Sequence, residues 1–173
     1  MFLRAVPILP AMRIPRYLIL IAALLLSASA AVAKTSHAGW PVINGVLKMH
    51  KTDRSGTLRG RAGKHNELLG GHGNDTIYAG SVGDVLWGDY KPSGQPTSQV
   101  DRIYGGAGKD FIYASHGSNF IHTGGGDDQI HAHFGRGAIW CEGGNPTVFL
   151  SHVSRRRYQL HGCRNISYRT LGY

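Results

Sequence analysis

Gly70-Gly71-His72-Gly73-Asn74-Asp75-Thr76-Ile77-Tyr78 is the stretch on which the reading of the fold turns. The same order returns as Gly105-Gly106-Ala107-Gly108-Lys109-Asp110-Phe111-Ile112-Tyr113. It returns again, lacking only the first glycine, as Thr123-Gly124-Gly125-Gly126-Asp127-Asp128-Gln129-Ile130-His131. Residues 79–87 and 114–122 are weaker copies, with Asp84 and Asn119 in the acidic place. The eighth position fixes the register: Leu68, Ile77, Leu86, Ile103, Ile112, Ile121, Ile130, Ile139 and Val148 follow one another in steps of nine, except for the 17 residues from Leu86 to Ile103. The excess falls in residues 88–100, where Lys91-Pro92-Ser93-Gly94-Gln95-Pro96 reads as a surface loop. The period therefore survives an insertion and returns in phase.

A unit of this kind has two halves. The glycine-rich half must turn sharply, and glycine reaches positive φ without a Cβ penalty. The last three residues form a short strand whose middle residue points inward while its neighbours point outward. One unit cannot bury its aliphatic residue alone. Stacked units form a continuous row in which each buried side chain contributes about 1.5–3 kcal/mol. Glycine at 25 of 173 residues, none of them before residue 34, argues against a helical bundle. The expected fold is all-β, a parallel roll of nine-residue repeats.

These residues resemble the RTX, or hemolysin-type, calcium-binding nonapeptide repeat, G-G-x-G-x-D-x-U-x. The resemblance covers about residues 61–149 and is strongest over 70–131. It implies that two units make one coil and that Ca²⁺ sits between like-facing loops of successive coils, held by Asp carboxylates and loop carbonyls. Hard oxygen ligands of this kind are what Ca²⁺ takes. Carried onto this chain, one edge offers Asp84, Asp110 and Asp128, with Asn66 below them. The other offers Asp75 and Asp101, then Asn119. The best single site is expected between the loops of Asp110 and Asp128. Gly137 and Pro146 fill the next two acidic positions and Val82 replaces a glycine, which leaves the number of ions open. The alternative is a degenerate roll that needs no calcium and uses Asp only in its turns.

The N-terminus sets the compartment. Arg4, Arg13 and Arg16 precede an apolar run over 17–26, and small residues end at Ala31-Val32-Ala33. This is the layout of a secretory signal over residues 1–33, with Met12 as an alternative start to Met1. The apolar run is short for a bilayer span, which needs about 20 residues, so no transmembrane anchor is expected after cleavage. The expected location is extracellular, either secreted or at the cell surface. An even cysteine count in an exported chain favours a Cys141–Cys163 disulfide.

After removal of that segment, 16 basic residues face 10 acidic ones, a net +6. Eight of the ten acids lie between Glu67 and Asp128, while basic residues crowd the ends, as in Arg155-Arg156-Arg157. The ends suit an anionic cell-envelope polymer or polysaccharide, or simply a solvated basic surface. No nucleic-acid partner is expected. The expected layout is an N-terminal cap over 34–60, the roll over 61–149 and a C-terminal cap over 150–173, because a solenoid must cover its terminal coils.

The ninth position is aromatic: Tyr78, Tyr104, His122 and Trp140 on one face, Trp87, Tyr113, His131 and Phe149 on the other. It reads as an outward ladder of stacked rings or, alternatively, as a platform for sugar rings. His131 and His133 form H-x-H, but the zinc-protease signature is absent, as are a nucleophile elbow and a phosphate loop. The sequence thus points to a non-enzymatic, exported, calcium-binding roll with a structural or interaction role. A carbohydrate- or polymer-binding module is the runner-up.

Overall fold

A computed structural model describes residues 42–49, 54–90 and 94–169. The expected signal segment and Trp40, assigned to the N-terminal cap, lie outside the described residues. Among those described, strands alternate between two parallel sheets. The first sheet holds the odd-numbered strands β1 (Leu47–Met49), β3 (Glu67–Leu69), β5 (Val85–Trp87), β7 (Phe111–Tyr113), β9 (Gln129–Ala132), β11 (Thr147–Leu150) and β13 (Asn165–Ser167). The second holds the even-numbered strands β2 (Gly56–Arg59), β4 (Asp75–Tyr78), β6 (Val100–Tyr104), β8 (Ser118–His122), β10 (Arg136–Trp140) and β12 (Tyr158–His161). Each strand pairs only with those one coil away, so two nine-residue units make one turn of the roll.

The eighth-position aliphatics form two facing columns. Leu68, Leu86, Ile112, Ile130, Val148 and Ile166 are in register in the first sheet. Leu58, Ile77, Ile103, Ile121, Ile139 and Leu160 are in register in the second. From Leu68 to Val148 these side chains are completely buried. The insertion after β5 leaves the column unbroken, because Ile77 pairs Ile103 as directly as Ile103 pairs Ile121.

The same two sheets run through both expected cap segments. β1 and β2 extend them at one end, and β12 and β13 at the other. Between β11 and β12 lies a single 3-10 turn, Ser154–Arg156. The disulfide Cys141–Cys163, with a Cα–Cα separation of 4.9 Å, ties the turn after β10 to the segment before β13. It closes a loop of 22 residues, worth about 3 kcal/mol on the chain-entropy account.

The outer faces of the sheets differ. On the second sheet Tyr78, Tyr104, His122, Trp140 and His161 stack in one continuous column, with centroids 4.5–5.2 Å apart and planes within 12°. Arg59 lies over the ring of Tyr78 at 3.9 Å and ends the column. On the first sheet Trp87, Tyr113, His131 and Phe149 stack in the same way. There, however, Val85, Trp87, Phe111 and Tyr113 form a second buried cluster, with Ile43 and Leu69 packed against it. Both ladders have the expected membership, but only the second-sheet ladder is partly exposed throughout its Tyr78–Trp140 stretch.

Candidate metal centre

Each Asp of the repeat stands where the glycine turn hands over to a strand, so acids of like-facing loops lie one coil apart. The first edge reads Asn66, Asp84, Asp110, Asp128, then Pro146. The second reads Gly56, Asp75, Asp101, Asn119, Gly137, then Tyr158. The six expected ligand positions thus separate into two ladders as the repeat reading placed them. Their side chains are buried, at 0–1% exposure.

The glycines let the loops stack this closely. Gly124 and Gly126 hold φ at +75° and +107°, and a Cβ on either would strike the Gly106 or Gly108 carbonyl of the coil before. Only glycine serves at such a position.

The carboxylates do structural work that the sequence did not announce. Each receives, on Oδ1, a backbone N–H from the equivalent residue one coil earlier. Asn66 donates to Asp84 at 2.6 Å, Asp84 to Asp110 at 2.6 Å and Asp110 to Asp128 at 2.8 Å. On the second edge Gly56 donates to Asp75 at 3.0 Å and Asp75 to Asp101 at 2.9 Å. The acid is therefore a clasp between coils as well as a candidate ligand.

The second oxygens distinguish the positions. Gly80 N–H donates to Asp84 Oδ2, and Gly106 N–H donates to Asp110 Oδ2 at 2.7 Å. At the bottom of the first edge the Asn66 amide donates to Asp84 Oδ1 and to the carbonyls of Arg61 and Lys64. That end closes on itself. By contrast, Asp128 Oδ2, Asp101 Oδ2 and Asn119 Oδ1 are buried and accept no hydrogen bond among the described residues. A buried oxygen without a partner costs about 1–3 kcal/mol, more if charged.

The electrostatics agree. Burial pushes the Asp101 carboxyl up to about 8, with the charges of Asp89 and Asp75 adding to the push. Burial likewise raises Asp110 to about 7, helped by Asp128 and Asp84, and Asp128 to about 7, helped by Asp127. Carboxylates stacked at coil spacing in a dry edge resist ionisation until a cation offsets them. Among the described residues no three His, Cys, Asp or Glu side chains converge as a ready-made cage. Carboxylates alone would not complete a calcium shell here; the remaining oxygens would have to come from amides and loop carbonyls, which Ca²⁺ accepts. His131 and His133 are both buried, with rings 5.8 Å apart, and belong to no such cage.

Where the acids stop, a phenol takes over. Tyr158 occupies the acid column directly above Gly137. Its Oη donates to the Phe134 carbonyl at 3.0 Å and accepts from Asn119 Nδ2 at 3.2 Å. Nothing in the repeat register singled out Tyr158, because the turn before β12 breaks the nine-residue step.

Fold and edges together define a class, the parallel β-roll with acid-bearing glycine loops. Residues 53–86 and 97–135 match the family model of the RTX calcium-binding nonapeptide repeat, in four copies. No curated protein and no solved structure matches the chain. The roll thus carries RTX repeats between residues 53 and 135, and Ca²⁺ is the ion that such repeats bind.

Proposed function

We propose that this protein is an exported β-roll that uses Ca²⁺ as a folding ligand and serves a structural or interaction role outside the cytoplasm. The observation that supports this reading is the stack of buried carboxylates, in which burial pushes up Asp101, Asp110 and Asp128 and in which Asp101 Oδ2 and Asp128 Oδ2 accept no hydrogen bond among the described residues. Asp75, Asp84, Asp101, Asp110 and Asp128, with Asn119, would hold the ions together with loop carbonyls. The pair Asp110 and Asp128 remains the favoured site on the first edge, since Asp128 Oδ2 is the oxygen there that no described group satisfies. Export rests on the basic, apolar, Ala-x-Ala order of residues 1–33 and on the disulfide, a bond of oxidising compartments.

The test is circular dichroism and melting with calcium titrated against chelator and with magnesium as control. A calcium-specific rise in melting temperature, weakened by Asp110→Ala with Asp128→Ala, supports the reading. An identical spectrum and melt in calcium and chelator would remove it.

A polymer-binding role has one specific support, the exposed Arg155-Arg156-Arg157 turn. The aromatic columns favour the ladder over a sugar platform, because the rings spend their faces on one another. A sugar would need a free face.

A further inference from the structure

The insertion between β5 and β6 begins at Gly88, and Asp89 follows it outside the repeat's acidic position. Asp89 is completely buried. Gln99, from the far end of the same loop, donates its Nε2 to Asp89 Oδ1, and the His116 backbone N–H also hydrogen-bonds this carboxyl. Asp89 Oδ2 accepts no hydrogen bond among the described residues. A buried acid tethered by one oxygen and unsatisfied at the other is not a turn residue, which would face solvent.

The space at the neighbouring Gly88 is lined with oxygen. A Cβ on Gly88 would lie 3.2 Å from Asp101 Oδ2, 3.2 Å from Asn119 Oδ1 and 3.2 Å from the Ala114 carbonyl oxygen. The two side-chain oxygens are the unsatisfied ones described above. The corresponding glycine of the first edge, Gly105, also faces oxygens, the Thr123 carbonyl and Asp110 Oδ2, but there Asp110 Oδ2 already accepts the Gly106 N–H. At Gly88 the nearest atoms are acceptors alone, with negative charge from Asp89 felt at Asp101. Acceptors facing a common dry space are destabilising unless a cation or donors join them.

We propose that Asp89, supplied by the insertion rather than by the repeat, is the second carboxylate of a divalent-cation site completed by Asp101, Asn119 and the Ala114 carbonyl, with Ca²⁺ as the ion. This rests on the calcium reading of the roll and adds to it a ligand that the repeat does not encode. Mixed carboxylate, amide and carbonyl oxygens suit Ca²⁺. They also explain how an edge that has lost an acid at Asn119 retains enough charge to bind. Gln99 is a positioning residue, holding Asp89 by one oxygen and leaving the other for the ion.

The experiment is to count calcium bound per chain by equilibrium dialysis of the purified protein and to follow melting in calcium and in chelator. Asp89→Asn is expected to bind about one ion fewer, to lose part of the calcium-induced rise in melting temperature, and in chelator to melt no lower than the parent. Gly88→Ala, which places a methyl group in the oxygen cradle, is expected to lose the same ion. Asp128→Asn acts on the other edge and is expected to leave this ion bound. Unchanged stoichiometry in both Asp89→Asn and Gly88→Ala overturns the proposal while leaving the calcium reading intact. So does an equal drop in melting with and without calcium for Asp89→Asn, the signature of a purely structural acceptor. A parent protein that binds no calcium overturns the calcium reading itself.

Discussion

Between residues 66 and 128 nearly every coil edge carries an acid or an amide, whereas from Gly137 onward the same columns hold Gly137, Pro146 and Tyr158. Strand pairing does not register the change. β10, β11, β12 and β13 continue the two sheets, and Ile139, Val148, Leu160 and Ile166 continue the aliphatic columns. What changes is how the edges are closed. In the acid-bearing part closure falls to carboxylates that accept backbone N–H groups from the coil before. In the later part it falls to the Tyr158 phenol and the disulfide. The aliphatic residue sets the fold, and the proposed dependence on calcium rests on the acid.

That division can be broken most directly in the core. Ile121→Ala and Ile139→Ala each remove a completely buried side chain, and each is expected to cost about 2–5 kcal/mol by urea unfolding, equally with and without calcium. A marked difference between the two would mean that the parts do not share one core. Next in size is the disulfide. Cys141→Ser with Cys163→Ser should cost about 3 kcal/mol, and hydrogen exchange should quicken over 147–167 while 67–132 stays protected in calcium.

Calcium removal comes third, at about 1.4 kcal/mol for each ion present at ten times its Kd. Its exchange signature should be the reverse, with 67–132 losing more protection than 147–167. This effect depends on pH. Asp101, Asp110 and Asp128 are raised to about 8, 7 and 7, so the fold holds their protons where the unfolded chain, with carboxyls near 3.8, has released them. Their protonated forms therefore favour the fold at pH 4, and that contribution fades as pH rises through 7–8. In chelator, melting temperature should fall from pH 5 to pH 8, while the gain from calcium should grow over the same interval. A calcium gain that shrinks with rising pH would contradict the carboxylate assignment. The smallest effect is Tyr158→Phe, expected to cost about 1 kcal/mol for its lost hydrogen bonds and to be indifferent to calcium.

The roll was legible because one position out of nine carries the core, and nine aliphatics in phase cannot be moved without turning them to the wrong face. The two acid ladders followed from the same count. The inward bond of each carboxylate to the previous coil was not legible, since a repeat motif does not say which oxygen the fold itself uses. Asp89 lay in what reads as a loop, and its bonds to Gln99 and to the His116 backbone hold it inward. Tyr158 fell after a turn that breaks the nine-residue step, so its place in the acid column emerges only from its pairing with Gly137. The burial of the first sheet's outer face did leave a trace. Val85, Leu86 and Trp87, like Phe111, Ile112 and Tyr113, are apolar without alternation, the pattern of a strand covered on both sides.

The carboxylate clasps all run one way. Each clasping backbone N–H finds its oxygen on the coil that follows, as Asn66 on Asp84, Asp84 on Asp110 and Asp110 on Asp128. The edge behaves like a zipper in which each tooth is locked by the next, so shortening the chain from its C-terminal end unlocks one tooth per coil removed. Beyond Asp128 the described columns carry no carboxylate to act as a tooth, and the covalent bond at Cys163 stands where the zipper would otherwise be open.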